Sequence, residues 1–245
     1  MAAARAAVLI PAFEAARSLA AVIAGVRAAV PGLEILVVDD GSTDGGGEVA
    51  RAAGARVVTH ARNLGKGEAL KTGFRELLPR ARAVVTLDAD GQHDPAEIPA
   101  LLGALERSGA AMCVGTRMGD TARMPWLRRL ANRGGSAVLS WLAGADLQDT
   151  QSGFRVYRSA DLPDWLGGTS GYDYESEVLI RACRSGKMIV FESVSTRYGD
   201  EKSHFRPVRD GIRFLRLVLR NLPGAASGPF HGAGRSRPGR PIPGA

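Results

Sequence analysis

Short apolar runs rich in β-branched residues, separated by stretches of helical period, constrain this chain more than any other feature. The runs are Ala7–Ile10, Ile35–Val38, Arg56–Thr59, Val84–Leu87 and Met112–Val114, and helical patterns lie between them at about Ser18–Val30, Glu48–Ala53, Lys66–Leu78 and Ala96–Arg107. Runs without a polar alternation bury both faces of a strand, and strands joined through helices run parallel. The pattern therefore predicts an α/β protein with a mostly parallel central sheet flanked by helices. Beyond Thr116 the alternation loosens into a helix at Trp126–Leu142, a strand at Phe154–Tyr157, a helix at Tyr174–Ser185 and a strand at Ile189–Val194. That second half is expected to build over the open edge of the sheet. The last stretch, Pro223 to Ala245, is rich in Pro, Gly, Ser and Arg without an apolar period and predicts a disordered tail.

Three polar clusters stand at the carboxyl ends of predicted strands, the edge where open α/β sheets place their ligands. They are Asp39-Asp40-Gly41-Ser42, the segment His60 to Gly67, and Asp88-Ala89-Asp90-Gly91-Gln92. Asp88 and Asp90, one residue apart at a strand end, can turn toward one point, which suits a hard divalent cation; Gln92 adds a neutral oxygen. Mg²⁺ or Mn²⁺ there would bridge a diphosphate. His93, beside Asp94-Pro95 at a helix start, reads better as a turn residue than as a ligand. In Asn63-Leu64-Gly65-Lys66-Gly67 a lysine stands between glycines just before a helix, where backbone donors and the helix dipole favour phosphate. Its spacing is not that of a Walker loop. Asp39 and Asp40 suit a base imide or a ribose hydroxyl, and Asp44 reads as a helix cap.

With 32 Lys and Arg against 25 Asp and Glu the formal net charge is +7, which invites a nucleic-acid reading. No interleaving of aromatic and basic residues supports one, and no nucleic-acid partner is expected. At 45% hydrophobic and 23% charged the chain is neither disordered throughout nor fibrous, and two cysteines, Cys113 and Cys183, do not make a disulfide scaffold. No apolar run reaches the roughly 18 residues of a transmembrane helix. A cytoplasmic protein is expected.

Taken together, Leu9-Ile10-Pro11-Ala12-Phe13, Val37 to Asp44, Asn63 to Gly67, Asp88 to Pro95 and Asp149-Thr150-Gln151-Ser152-Gly153-Phe154-Arg155 resemble a family-2 glycosyltransferase of the dolichol-phosphate or polyprenol-phosphate mannosyltransferase kind. The resemblance implies a GT-A fold with a Rossmann-like first half, one domain over 1–222, a nucleotide-sugar half at about 1–116 and an acceptor half at about 117–222. It implies that Pro11, Phe13 and Asp39 or Asp40 surround the nucleotide, with Lys66 and Asp88 also on the donor. Asp88, Asp90 and Gln92 would hold Mg²⁺ or Mn²⁺ against the diphosphate. Arg117 joins Asp88 and Asp90 as a catalytic residue, and Arg117 with Arg128 or Arg129 would face the acceptor phosphate. Ser203-His204-Phe205-Arg206 would close over the site, bringing Ser203 and Arg206 to that phosphate. The opening motif departs from the family's Pro-Ala-Tyr-Asn-Glu: here it is Pro11-Ala12-Phe13-Glu14-Ala15, with alanine where the glutamate stands.

The expected reaction is metal-dependent, inverting transfer of a sugar, mannose from GDP-mannose, to a polyprenyl phosphate. A phosphate monoester is largely dianionic at pH 7 and attacks without a general base. A sugar-hydroxyl acceptor would need one, and Asp173, Glu175 and Glu177 are the candidates. The Asp88-x-Asp90-Gly91 pattern also resembles the nucleophile motif of haloacid-dehalogenase-type phosphatases, but it follows the fourth strand rather than the first. Arg209, Arg213, Arg216 and Arg220 fall on one helical stripe, opposite Ile212, Leu215, Val218, Leu219 and Leu222. The stripe suits either a solvated face or peripheral contact with the inner face of an anionic membrane.

Overall fold

The computed structural model describes residues 5–116, 126–166, 168–169, 171, 173–195 and 215–222, with the backbone alone for 126–133. Seven strands form one sheet: β1 (Ala6–Ala12), β2 (Glu34–Asp39), β3 (Arg56–Thr59), β4 (Ala83–Thr86), β5 (Met112–Thr116), β6 (Arg155–Arg158) and β7 (Ile189–Ser193). The order is β3-β2-β1-β4-β6-β5-β7. Only β6 runs against the others, pairing antiparallel with both β4 and β5.

Side chains of each parallel strand alternate between two apolar layers. Val8, Ile10, Val37 and Val85 pack with α1 (Ala16–Ala29), α2 (Gly46–Ala52) and α4 (Ile98–Ser108) on one face. Leu9, Leu36, Val38 and Val84 pack with α3 (Lys66–Leu77), α5 (Trp126–Ala143) and α6 (Tyr174–Arg184) on the other. This double burial is why the strands carry continuous apolar runs. Cys113 is buried and Cys183 half-buried, both as free thiols.

Two expectations need correction. The second half does not simply extend an open edge: β6 enters the interior between β4 and β5, and only β7 lies at the edge. Because β6 is antiparallel, its beginning lies beside the end of β4, and the loop that precedes it reaches the ligand edge. The C-terminal helical stripe is also divided differently. Over 215–222, Val218 and Leu222 pack against the core as the stripe implies, but Leu217 is buried with Leu139 and Leu142 of α5, while Leu215 and Leu219 are exposed beside exposed Arg216 and Arg220. Arg209, Ile212 and Arg213 lie outside the described residues, as does the expected tail at 223–245.

Candidate active site at the carboxyl edge of the sheet

Strand order turns at β1, with β2 on one side and β4 on the other, so the crevice of an open α/β sheet lies beyond the ends of these strands. The main chain ties the three ends together: Asp40 N donates to Ala12 O at 2.8 Å, His60 N to Asp39 O at 2.8 Å and Leu87 N to Leu9 O at 3.1 Å. Pro11 is buried within β1, whereas Phe13, just past its end, is 43% exposed, an apolar surface available to a planar ligand.

Asp39 and Asp40 are adjacent, buried and differently employed. Asp39 Oδ1 accepts from Ser42 N at 3.0 Å, and its carboxylate lies under the start of α2, where a Cβ on Gly47 would meet Oδ2 at 2.9 Å. Asp40 Oδ1 accepts from Leu64 N at 2.9 Å and Oδ2 from Gly65 N at 2.7 Å, and His60 Nδ1 lies 2.6 Å from Oδ1. Both oxygens of Asp40 are thus engaged in shaping the loop before α3. Gly65 takes φ +100°, a value only glycine adopts readily, and the helix starts at the next residue, Lys66.

The Lys66 ammonium lies 2.7 Å from Asp88 Oδ1 and 2.8 Å from Glu175 Oε2, the latter in the first turn of α6. Burial pulls the ammonium pKa down, but the attraction of Asp88 and then of Glu175 outweighs it, so the pKa lies above the ordinary lysine value. Lys66 is therefore a fixed positive charge at the edge where a diphosphate would sit. Glu175 is buried, 5% exposed, and its Oε1 has no hydrogen-bond partner among the described residues.

Asp88 also meets the loop before β6. The β4–β6 register pairs Thr86 with Arg155, so Gly153 continues opposite Asp88, and a Cβ there would lie 2.4 Å from Asp88 Oδ2. Thr86 Oγ1 donates to Gly153 O at 2.9 Å. Arg155, fully buried, holds this loop by donating from Nε to Ser152 O at 2.7 Å and from Nη2 to Thr150 O at 2.9 Å; Nη1 reaches Glu175 O at 2.7 Å. One guanidinium thus joins the loop facing Asp88 to the first turn of the helix that carries Glu175.

Asp90 Oδ1 accepts from Gln92 N at 3.0 Å, which closes the turn after β4 and brings Asp90 and Gln92 together. Among the described residues no three His, Cys, Asp or Glu side chains gather as a cation cluster. The donor set Asp88, Asp90 and Gln92 is all oxygen and fits Mg²⁺ or Mn²⁺, ions that keep several positions for water and phosphate. His93 is 4% exposed with its ring against Phe154 at 5.3 Å between centroids, a packing position rather than a place in the donor set. Asp44 does cap, in a way the sequence did not predict: Oδ1 accepts from Gly46 N at 2.9 Å and Oδ2 from Ala16 N at 2.8 Å, serving the starts of α2 and α1 at once. Arg117, Ser203 and Arg206 lie outside the described residues, as do the side chains of Arg128 and Arg129 on α5.

Sequence reasoning missed the contact between Gly153 and Asp88, the buried clamp of Arg155, and the work of Glu14. Glu14 Oε1 accepts from Thr43 N at 2.7 Å and Thr43 Oγ1 at 3.1 Å, while Glu14 N donates to Ser42 Oγ at 3.0 Å. These bonds fasten the loop after β1 to the loop after β2. The departure from the family's opening motif is the signal that marks this position.

The fold is similar to that of a solved nucleotide-sugar enzyme. Glucosyl-3-phosphoglycerate synthase from Mycobacterium tuberculosis, in complex with Mn²⁺, UDP and phosphoglyceric acid, matches with a TM-score of 0.70 and 25% identity over 94% of this chain and 81% of that chain. The class is that of GT-A glycosyltransferases. The chain belongs to glycosyl transferase family 2, whose model matches residues 7–162. It is 35% identical over 196 residues to a polyprenol monophosphomannose synthase of Mycolicibacterium smegmatis, covering 75% of this chain and 74% of that relative. It is 34% identical over 195 residues to an undecaprenyl-phosphate mannosyltransferase of Micrococcus luteus, covering 74% of this chain and 79% of the relative.

Proposed function

We propose that this glycosyltransferase moves mannose from GDP-mannose to a polyprenyl phosphate, with inversion and with Mg²⁺ or Mn²⁺ bound at Asp88, Asp90 and Gln92. The observation that carries the reading is the half-buried Lys66 ammonium held against Asp88 at the crevice, a fixed positive site for a departing diphosphate. The two polyprenyl-phosphate relatives supply the acceptor class.

In this reading Phe13 flanks the nucleotide with Pro11 behind it, and Asp39 faces the ribose or base. Asp40 acts at one remove, by fixing the Leu64 and Gly65 amides that set the start of α3. A divalent ion would neutralise charge on the leaving nucleoside diphosphate. Lys66 would add its positive charge to the same phosphates. An acceptor phosphate oxygen forms the new bond to the anomeric carbon while the bond from that carbon to the diphosphate oxygen breaks, its electron pair leaving with the nucleoside diphosphate. Arg117, Arg128, Arg129, Ser203 and Arg206 are the proposed acceptor-phosphate contacts.

Hydroxyl-acceptor chemistry is less well served. Glu177 Oε1 accepts from Arg181 Nη2 at 2.7 Å and Oε2 from Thr169 N at 2.8 Å, and Glu175 Oε2 is paired with Lys66, so neither is disposed as a base, which leaves Asp173, just before α6, as the candidate for that chemistry. A dianionic phosphate needs none. The haloacid-dehalogenase alternative is set aside by the family match.

Purified protein given a short polyprenyl phosphate, Mn²⁺ or Mg²⁺, and GDP-mannose, UDP-glucose or UDP-N-acetylglucosamine in parallel is expected to make lipid-linked mannose from GDP-mannose alone. EDTA abolishes the product, and Asp90→Ala lowers turnover on the order of 10³-fold with the fold retained. Near-normal turnover of Asp90→Ala overturns the cation assignment, and nucleoside diphosphate release without a lipid product overturns the acceptor. The lipid acceptor also calls for contact with the inner face of the membrane, for which exposed Leu215, Arg216, Leu219 and Arg220 are suited.

A further inference from the structure

Asp88 carries two assignments that compete. It is a proposed ligand of the divalent cation, and its Oδ1 already holds the Lys66 ammonium at 2.7 Å. Little solvent separates the partners, the side chains of Lys66 and Asp88 being 14% and 26% exposed, so screening between Lys66 and any second cation on Asp88 is weak. Glu175 stands on the other side of the ammonium at 2.8 Å, and its second oxygen, Oε1, is buried with no hydrogen-bond partner among the described residues. A buried carboxylate with one oxygen unpartnered depends on its ion pair, so Glu175 keeps Lys66 in the site even when Asp88 gives it up.

We propose that Lys66 couples cation binding to donor binding: by holding Asp88 it weakens the hold of the free protein on a divalent cation, and by turning to the donor diphosphate it releases that oxygen, so that the cation and the nucleoside diphosphate bind cooperatively. The inference rests on Asp88 and Asp90 being the cation ligands. Coupling of this kind is reciprocal, each ligand tightening the other by the same factor. Glu175 acts in the opposite sense to Asp88. It draws the ammonium away from the cation ligand, and neutralising it shifts Lys66 toward Asp88.

The test is Mn²⁺ binding to the full chain, followed by the electron paramagnetic resonance signal of free Mn²⁺, with and without GDP or UDP. For the wild type the expected result is weak binding alone and a tightening of about 10- to 100-fold with the accepted nucleoside diphosphate. Lys66→Met is expected to bind Mn²⁺ alone about 10-fold more tightly than the wild type and to lose most of the coupling, whereas Glu175→Gln binds Mn²⁺ alone several-fold more weakly. The opposite signs matter, because a variant that merely folds badly loses affinity in either case. Unchanged or weaker Mn²⁺ binding by Lys66→Met with an intact thermal transition overturns the proposal, as does a gain in affinity that survives Asp88→Asn in the same chain. Absence of Mn²⁺ binding by the wild type in every condition overturns the cation assignment itself, and the coupling with it.

Discussion

At position 153 a hydrogen atom in place of a methyl group decides where a carboxylate sits. Asp88 closes on the backbone of Gly153 so nearly that a Cβ would lie 2.4 Å from Oδ2 and 2.8 Å from both Cγ and Oδ1. No rotamer of an alanine relieves that overlap, so Asp88 must turn, and with it the partner of Lys66. Gly153→Ala is expected to lower kcat on the order of 10²-fold, the usual cost of displacing a reacting group by about 1 Å. Steady-state transfer kinetics beside circular dichroism check this; turnover within twofold of the wild type would show that Asp88 has room to spare. Residues of this kind mark the limit of the sequence. Asp39, Asp40 and Asp88 are legible because each stands at the carboxyl end of an apolar strand run, and Lys66 because it stands between glycines at a helix start, positions that sequence encodes. Their partners were not, because Lys66 meets Glu175 and Asp88 meets Gly153 through a packing that brings distant segments together. Asp40 illustrates the difference: its place at the edge is visible in the sequence, but only the amides of Leu64 and Gly65 reveal that it builds a loop.

Among the elements, α3 has the narrowest tolerance. Gly73 lies against β1, where a Cβ would come within 2.1 Å of Leu9 Cδ1, 2.7 Å of Cδ2 and 2.9 Å of Cγ. Leu9 is fully buried and has nowhere to retreat, so the helix itself must lift. Because α3 begins at Lys66, lifting it also withdraws the ammonium from Asp88. Gly73→Ala is expected to cost about 1–3 kcal/mol by overpacking, read as a lowered Tm, together with a raised KM for the nucleotide sugar. A stable variant with normal donor KM would mean that α3 shifts without carrying Lys66. The boundaries of α3 and of the parallel strands follow closely from apolar period and flanking glycines. The place of β6 does not, since a four-residue strand carries no record of its neighbours or direction, and antiparallel insertion between β4 and β5 is settled by long-range pairing.

For the molecule as a whole, the excess of arginine is a question of where the charge lies. No helix among the described residues is long and apolar enough to cross a membrane. One region nevertheless combines cations with bare apolar side chains: Leu215 is 56% and Leu219 53% exposed, beside exposed Arg216 and Arg220. The same segment is fastened to the end of α5, for Leu217 shares a core with Leu139 and Leu142, and Arg184 Nη2 donates both to Leu142 O at 3.1 Å and to the carbonyl of Asn221. Trp141, 62% exposed, precedes Leu142 on α5. Leucines that enter the headgroup boundary, arginines that meet anionic lipid and a tryptophan at the interface are what a surface-lying segment requires. At about 1 kcal/mol for each basic residue near the surface, Arg216→Ala with Arg220→Ala is expected to weaken binding to phosphatidylglycerol-containing vesicles by about 30-fold, and high salt to act in the same direction. Leu215→Ser with Leu219→Ser weakens binding without removing its salt dependence. Sedimentation with vesicles of mixed and of purely zwitterionic composition separates the contributions. Equal binding to both compositions would remove the arginines from the interface, and absence of binding to either would leave the polyprenyl phosphate to be reached from solution.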